Sequence, residues 1–221
     1  MEALIPILYL FRRGRKNDVL APDLSVVETV ELESFMPFGK VEGKIHRSQL
    51  LDSERCGDAI FKIGNTIFVV DASAPDQDMS YLKEQQMVQA LKSGLENNSN
   101  DLMAAINGAL TSGGREQWNG TNVEFGLSVS GITSNDNGTV TLFNIGTGTV
   151  YVDGKTVLPS QKKFHSPNPM PGSKKVGTLE MKKITMPSQN LTSVLIHTDG
   201  FLAGLKIAGD AKEATYLKLE K

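Results

Sequence analysis

Val194-Leu195-Ile196-His197-Thr198-Asp199-Gly200 decides how the rest of the chain is read. A short apolar run stopped by turn-forming residues reads as a buried strand, and the acid at its end is held at the rim of a sheet. Working outward, Ile67-Phe68-Val69-Val70-Asp71 repeats the pattern, and Cys56-Gly57-Asp58 sets a third acid just ahead of an apolar run. Each aspartate by itself is explained as the end of a strand at a turn. Together, three rim carboxylates far apart in sequence offer a common set of oxygen ligands for a divalent cation.

Composition narrows the classes. The chain has 221 residues, 39% hydrophobic, with a formal net charge of -2. That length suits one domain, or one domain with an extension. Nothing in the charge calls for a nucleic-acid partner. Cys56 is the only cysteine, which excludes an intramolecular disulfide and a cysteine-based zinc site. A reducing, cytoplasmic location is the expectation. No apolar run reaches the roughly 18 residues that span a bilayer. The N-terminal stretch Ala3-Leu4-Ile5-Pro6-Ile7-Leu8-Tyr9-Leu10-Phe11 precedes Arg12-Arg13-Gly14-Arg15-Lys16, the reverse of signal-peptide order. It reads as a strand and basic turn, or as a docking segment. The expected division is an N-terminal extension over residues 1–45, with a docking strand for assembly, and one domain over residues 46–221.

The hydrophobic period then orders the elements. Val26 to Leu32 alternates in part, and Ala59 to Asp71 reads as a hairpin turning at Gly64-Asn65. Met79, Leu82, Met87, Val88, Leu91 and Leu95 fall at helical spacing. A second helix starts with Asn100 as cap and ends at Gly113-Gly114. From Asn122 the period returns to two, with hairpin turns at Asn135-Asp136-Asn137-Gly138 and Asp153-Gly154. Residues 159–177 read as an exposed loop, Thr178 to Met186 as a strand, and Ala214 to Leu219 as a terminal strand. This order predicts an α+β fold: an antiparallel β-sandwich with the helices of residues 79–111 packed on an outer face.

A cluster of carboxylates repels itself, and Mn²⁺ or Mg²⁺ removes that penalty. Two such ions can share a carboxylate and a water, which then attacks phosphorus without a side-chain nucleophile. The chain shows no Ser-His-Asp arrangement that would serve instead. In segment order it resembles the metal-dependent protein phosphatase 2C family, above all the compact bacterial branch of sporulation and sigma-factor regulators. The resemblance rests on Gly57-Asp58, the hairpin ending at Asp71, the helix pair, Phe143-Asn144-Ile145-Gly146-Thr147-Gly148, and Ile196-His197-Thr198-Asp199-Gly200, over about residues 50–221.

That resemblance implies a metal-dependent phosphoserine/phosphothreonine phosphatase using a metal-bridging water. Asp71 would bridge two ions, with Asp58 and Asp199 as flanking ligands and the backbone carbonyl of Ala72 as another. Arg55 would reach the substrate phosphate, since a guanidinium suits bidentate phosphate contact. The chain also departs from the family. Ala72 stands where the family has glycine, and Lys212 stands where it has a metal-binding acid, with Asp210 or Glu213 as nearby substitutes. Those departures imply the alternative: a catalytically impaired pseudophosphatase, binding no ion and acting as a regulatory or assembly module. The partner is a phosphoprotein substrate or a regulatory protein. His197, two residues before Asp199, reads either as an aid to proton transfer or as a partly buried strand histidine.

Overall fold

The computed structural model describes residues 24–47, 57–73, 80–97, 101–112, 117–118, 121–122, 125–167, 169, 171–209, 211 and 213–221. The chain opens with β1 (Val26–Val30), β2 (Lys40–Arg47), β3 (Asp58–Ile63) and β4 (Thr66–Ser73). Helices α1 (Ser80–Asn97) and α2 (Leu102–Ser112) follow, then β5 (Gln117–Trp118), β6 (Thr121–Asn122), β7 (Gly126–Ser134), β8 (Thr139–Ile145), β9 (Thr149–Val152) and β10 (Lys155–Leu158). After these come β11 (Phe164–His165), β12 (Val176–Gly177), β13 (Lys182–Pro187), β14 (Ser193–His197), β15 (Phe201–Leu202), β16 (Lys206–Ile207) and β17 (Glu213–Glu220).

Two sheets carry the architecture. One has six strands in the order β1-β2-β17-β14-β9-β10. The other runs β12-β11-β7-β4-β3, with β8 on β7 and β13 on β8. Among the described strands the pairing is antiparallel except between β11 and β12. The sandwich expected from the sequence is therefore present. Residues 24–45, read from sequence as part of an extension, supply β1 and most of β2 to the six-stranded sheet. There β2 lies between β1 and β17, paired with β17 from Arg47↔Glu213 to Lys40↔Glu220.

Strand alternation separates two apolar layers. On β4, Ile67 and Val69 point into the gap between the sheets, where they meet Ile60, Ile132, Leu142, Ile196, Leu217 and Leu219. Phe68, Val70 and Ala72 point the other way, against Met87, Leu91, Leu95 and Ile106 of the two helices. Burial on both faces explains why the strand is a continuous apolar run. The helices thus cover the outer face of the seven-stranded sheet, as the sequence predicted.

Three local expectations shift. The cap of α2 is Asp101, whose Oδ1 accepts the Ala104 N–H at 2.9 Å; Asn100 lies outside the described residues. Residues 159–177 are not wholly an exposed loop: they contain β11 and β12 and bury His165, Ser166 and Val176. His165 Nδ1 accepts the Leu179 N–H at 3.1 Å, and its Nε2 faces Asn107 Oδ1 of α2 at 3.1 Å. Those polar partners are distant in sequence, so no local period announces them. The strand read from Thr178 begins only at Lys182.

Candidate functional site: an acid cluster at one end of the sandwich

Asp58 and Asp71 stand directly opposite each other in the β3–β4 ladder. Side chains so placed lie about 4.5–5.5 Å apart at Cβ. By alternation Asp71 shares the parity of Ile67 and Val69, and Asp58 that of Ile60. Both therefore face the gap between the sheets, at its end. They are 7% and 8% exposed, so neither carboxylate is well hydrated.

The facing sheet adds two more acids. Glu213 opens β17 with the parity of Leu217 and Leu219, and its Oε2 accepts the Asp58 N–H at 2.9 Å. Asp199 follows β14 in an exposed turn, near enough for its charge to act on Asp58 and Asp71. Burial first, and then the charge of Glu213, hold the Asp58 carboxyl well above the ordinary carboxylate range. Burial first, then Asp58, Asp199 and Glu213, do the same to Asp71. Acids from two sheets and both halves of the chain thus act on one another.

Hydroxyls orient two of them. Thr198 Oγ1 accepts the Thr215 N–H at 3.0 Å, which leaves its own proton to Asp58 Oδ2 at 3.2 Å. Thr147 Oγ1 donates to Asp71 Oδ2 at 3.4 Å. Thr147 reaches that place because its turn packs on β7. Gly148 N donates to Ser128 Oγ at 3.1 Å, and Gly146 has φ +102, a conformation that favours glycine.

Close backbone approach explains the two motif glycines. A Cβ on Gly57 would lie 2.6 Å from the Ala72 carbonyl oxygen and 3.0 Å from Glu84 Oε2. A Cβ on Gly200 would lie 2.0 Å from the Glu213 carbonyl oxygen. The second contact is the one that brings β17, and Glu213 with it, against the Thr-Asp-Gly turn.

Of the residues singled out from sequence, Asp58, Asp71 and Asp199 come together. Ala72 is buried in β4; its N–H donates to the Gly57 carbonyl at 3.0 Å and its own carbonyl is packed toward Gly57. Arg55, Lys212 and Asp210 lie outside the described residues. His197 turns to the opposite face of its sheet. Its Nδ1 lies 2.8 Å from the Thr198 carbonyl and its Nε2 3.3 Å from the Tyr151 hydroxyl, with the ring stacked on Tyr151. The chain turns after β14, so alternation does not carry from His197 to Asp199. Glu213, offered from sequence with Asp210 as a substitute for the acid missing at Lys212, joins them. Its parity with two buried leucines was the available signal.

In kind, the donor set suits a hard divalent ion: oxygen only, four carboxyl groups, those of Asp58 and Asp71 buried. Among the described residues, no group of three or more His, Cys, Asp or Glu is already arranged to hold one.

This is the fold of the metal-dependent serine/threonine phosphatases of the PPM, or 2C, class, as the sequence resemblance implied. A serine/threonine phosphatase from Staphylococcus aureus shares it with a TM-score of 0.55 at 12% identity, over 88% of this chain and 99% of that one. PstP, the Mycobacterium tuberculosis serine/threonine phosphatase, has a TM-score of 0.51 at 12% identity over 82% and 97% of the two chains, and its catalytic domain is known in complex with two manganese ions. RsbX, known in complex with magnesium, has a TM-score of 0.50 at 14% identity over 89% and 100%. By sequence, no family model and no curated protein matches the chain.

Proposed function

We propose that the protein is a Mn²⁺- or Mg²⁺-dependent phosphatase acting on phosphoserine or phosphothreonine in a partner protein. The observation that carries this reading is the meeting of Asp58, Asp71, Asp199 and Glu213 at one end of the sandwich. Folding four acids into mutual repulsion costs stability unless a cation or protons balance them. In this reading Asp71 is the central ligand, Asp58 and Asp199 flank it, and Glu213 takes the fourth acid position that Lys212 vacates. Bound there, a divalent ion supplies charge neutralisation and activation of water at neutral pH. The chain's own part is to hold the carboxylates in place. Thr198 fixes Asp58, Thr147 steadies Asp71, and the Asp58 N–H steadies Glu213. Arg55 is the proposed phosphate contact.

The Ala72 carbonyl favours a second reading. It is packed toward Gly57, and Ala72 lacks the conformational freedom of the glycine it replaces. A pseudophosphatase would keep the acid cluster balanced by protons, or by the Lys212 ammonium, and use the fold as a regulatory or assembly module. The apolar and basic segment of residues 3–16 is then the proposed docking element.

Mn²⁺ titration of the full chain decides between them. A catalytic centre gives saturable binding, hydrolysis of a phosphoserine peptide and a rise in Tm. At one hundred times Kd the stabilisation is about 2.7 kcal/mol, or roughly 5–10 °C for a domain this size. No binding and no hydrolysis by the intact protein rejects the enzyme reading.

A further inference from the structure

Residues 161–183 hold six lysines, Lys162, Lys163, Lys174, Lys175, Lys182 and Lys183, against one acid, Glu180, in a chain whose net charge is -2. All six are exposed. Elsewhere Lys40, Lys44, Lys62 and Lys218 pair with glutamates at 2.6–3.5 Å. None of the six has a carboxylate within ion-pair distance among the described residues.

The fold gathers them on one edge of the seven-stranded sheet. Phe164 pairs with Val176, so Lys163 and Lys175 sit side by side ahead of β11 and β12. Lys163 also lies over Gly177, its Nζ 3.7 Å from where a Cβ would stand. Lys182 and Lys183 open β13, opposite Asn144 and Phe143. Both arms are level with the acid cluster. On β7, Ser128 faces Asp71 while the adjacent Leu127 faces His165, and Ser130 links Val69 to Asn144.

From β4 to β12, or from β4 to β13, is three strand spacings, about 14 Å. An extended chain covers that in about four residues. The outer side of β13 pairs with no described strand, so it offers backbone groups as well as charge.

We propose that this lysine edge docks an extended acidic segment of the phosphoprotein substrate. It would engage aspartate, glutamate or a further phosphorylated residue about four positions from the residue held at the acid cluster. The proposal rests on the phosphatase reading for what lies at that cluster. A membrane surface fits the edge less well: basic membrane-binding surfaces carry exposed apolar side chains among the charges, and among the described residues the exposed large hydrophobics, Val27, Met36 and Leu202, lie outside residues 161–183.

The test is fluorescence anisotropy of the metal-free full chain with two labelled phosphoserine peptides. One carries glutamate four and five positions to either side of the phosphoserine, the other glutamine there. The acidic peptide is expected to bind about tenfold more tightly at low salt, the sum of several weak, screened ion pairs. The preference should shrink at 300 mM salt. It should be lost when Lys162, Lys163, Lys174 and Lys175 are each replaced by glutamine, and reduced by Lys182→Gln with Lys183→Gln, which covers a folding failure of the first variant. Equal binding of the two peptides overturns the proposal and leaves the lysines as edge protection against self-pairing. So does a preference that survives both variants, or tighter capture of phosphatidylserine vesicles than of the acidic peptide. If the preference holds while Mn²⁺ supports no hydrolysis, the docking edge stands and the phosphatase reading falls.

Discussion

β14 and β17 carry a polar cluster on each face, and the two are held by different physics. On the outer face His46, Tyr151, His197, Phe201 and Tyr216 pack ring against ring. His197 faces a hydrogen-bond partner at each ring nitrogen, and burial lowers its pKa and that of His46, favouring neutral rings. On the inner face Thr198, Thr215 and Glu213 meet Asp58, Asp71 and Asp199, where burial and like charge raise the pKa of Asp58 and Asp71. The outer cluster is held mainly by ring packing, with His46 Nε2 buried and unpartnered among the described residues. The inner one needs protons or a cation, so the same two strands present structure on one side and a demand for ligand on the other.

The sharpest way to break this contrast is Asp71→Asn. If the inner face is the metal centre, hydrolysis falls by more than about 100-fold, the upper end of what loss of a merely supporting group costs. Mn²⁺ then no longer raises Tm. Full activity in this variant would end the assignment of Asp71.

Thr198→Val is next. It removes the hydroxyl that aims at Asp58 and strands the Thr215 N–H. Mn²⁺ affinity by calorimetry should fall roughly tenfold, and Thr198→Ser should restore it. His197→Phe addresses the other face. Ring packing is kept, but the Thr198 carbonyl and Tyr151 hydroxyl lose a partner, at about 1–3 kcal/mol of stability. Urea unfolding should report that loss while the Mn²⁺ response stays unchanged; a changed response would show the two faces to be coupled.

The smallest effect is in pH. Burial and like charge hold the folded pKa values of Asp58 and Asp71 above the ordinary aspartate value, so the folded state holds more protons there. Their contribution to stability falls as pH rises from about that value through the folded ones. His46, His165 and His197 are lowered from 6.5 by burial, so their contribution is lost as pH falls below that value. Metal-free protein should therefore weaken toward both ends of the range, and Mn²⁺ should restore only the alkaline side. Thermal unfolding from pH 4.5 to 8 checks it.

Much of this was legible locally. The β3–β4 hairpin, the helix pair and the Asp199 turn each announce themselves within a few residues, through period and turn chemistry. What escaped depends on pairing between distant segments. β2 looks unremarkable until β17 pairs with it over eight residues. His165 reads as loop because its partners, Asn107 and Leu179, come from a helix and a later turn. Glu213 could be offered beside Asp210 as a substitute acid, and it is the packing of β17 against the turn at Gly200 that brings it in. Aspartates at strand ends could be guessed to meet; which further acid completes the group is decided by sheet against sheet.

The Gly200 contact has a consequence for how such chains are compared. The atom that leaves no room there belongs to the main chain of β17, and would leave none whichever residue stood at 213. The signature glycine is thus a requirement of assembly, retained whether or not chemistry survives. A lineage that abandoned hydrolysis would keep the signature as a fossil, and loss of function would be recorded at the ligand positions instead.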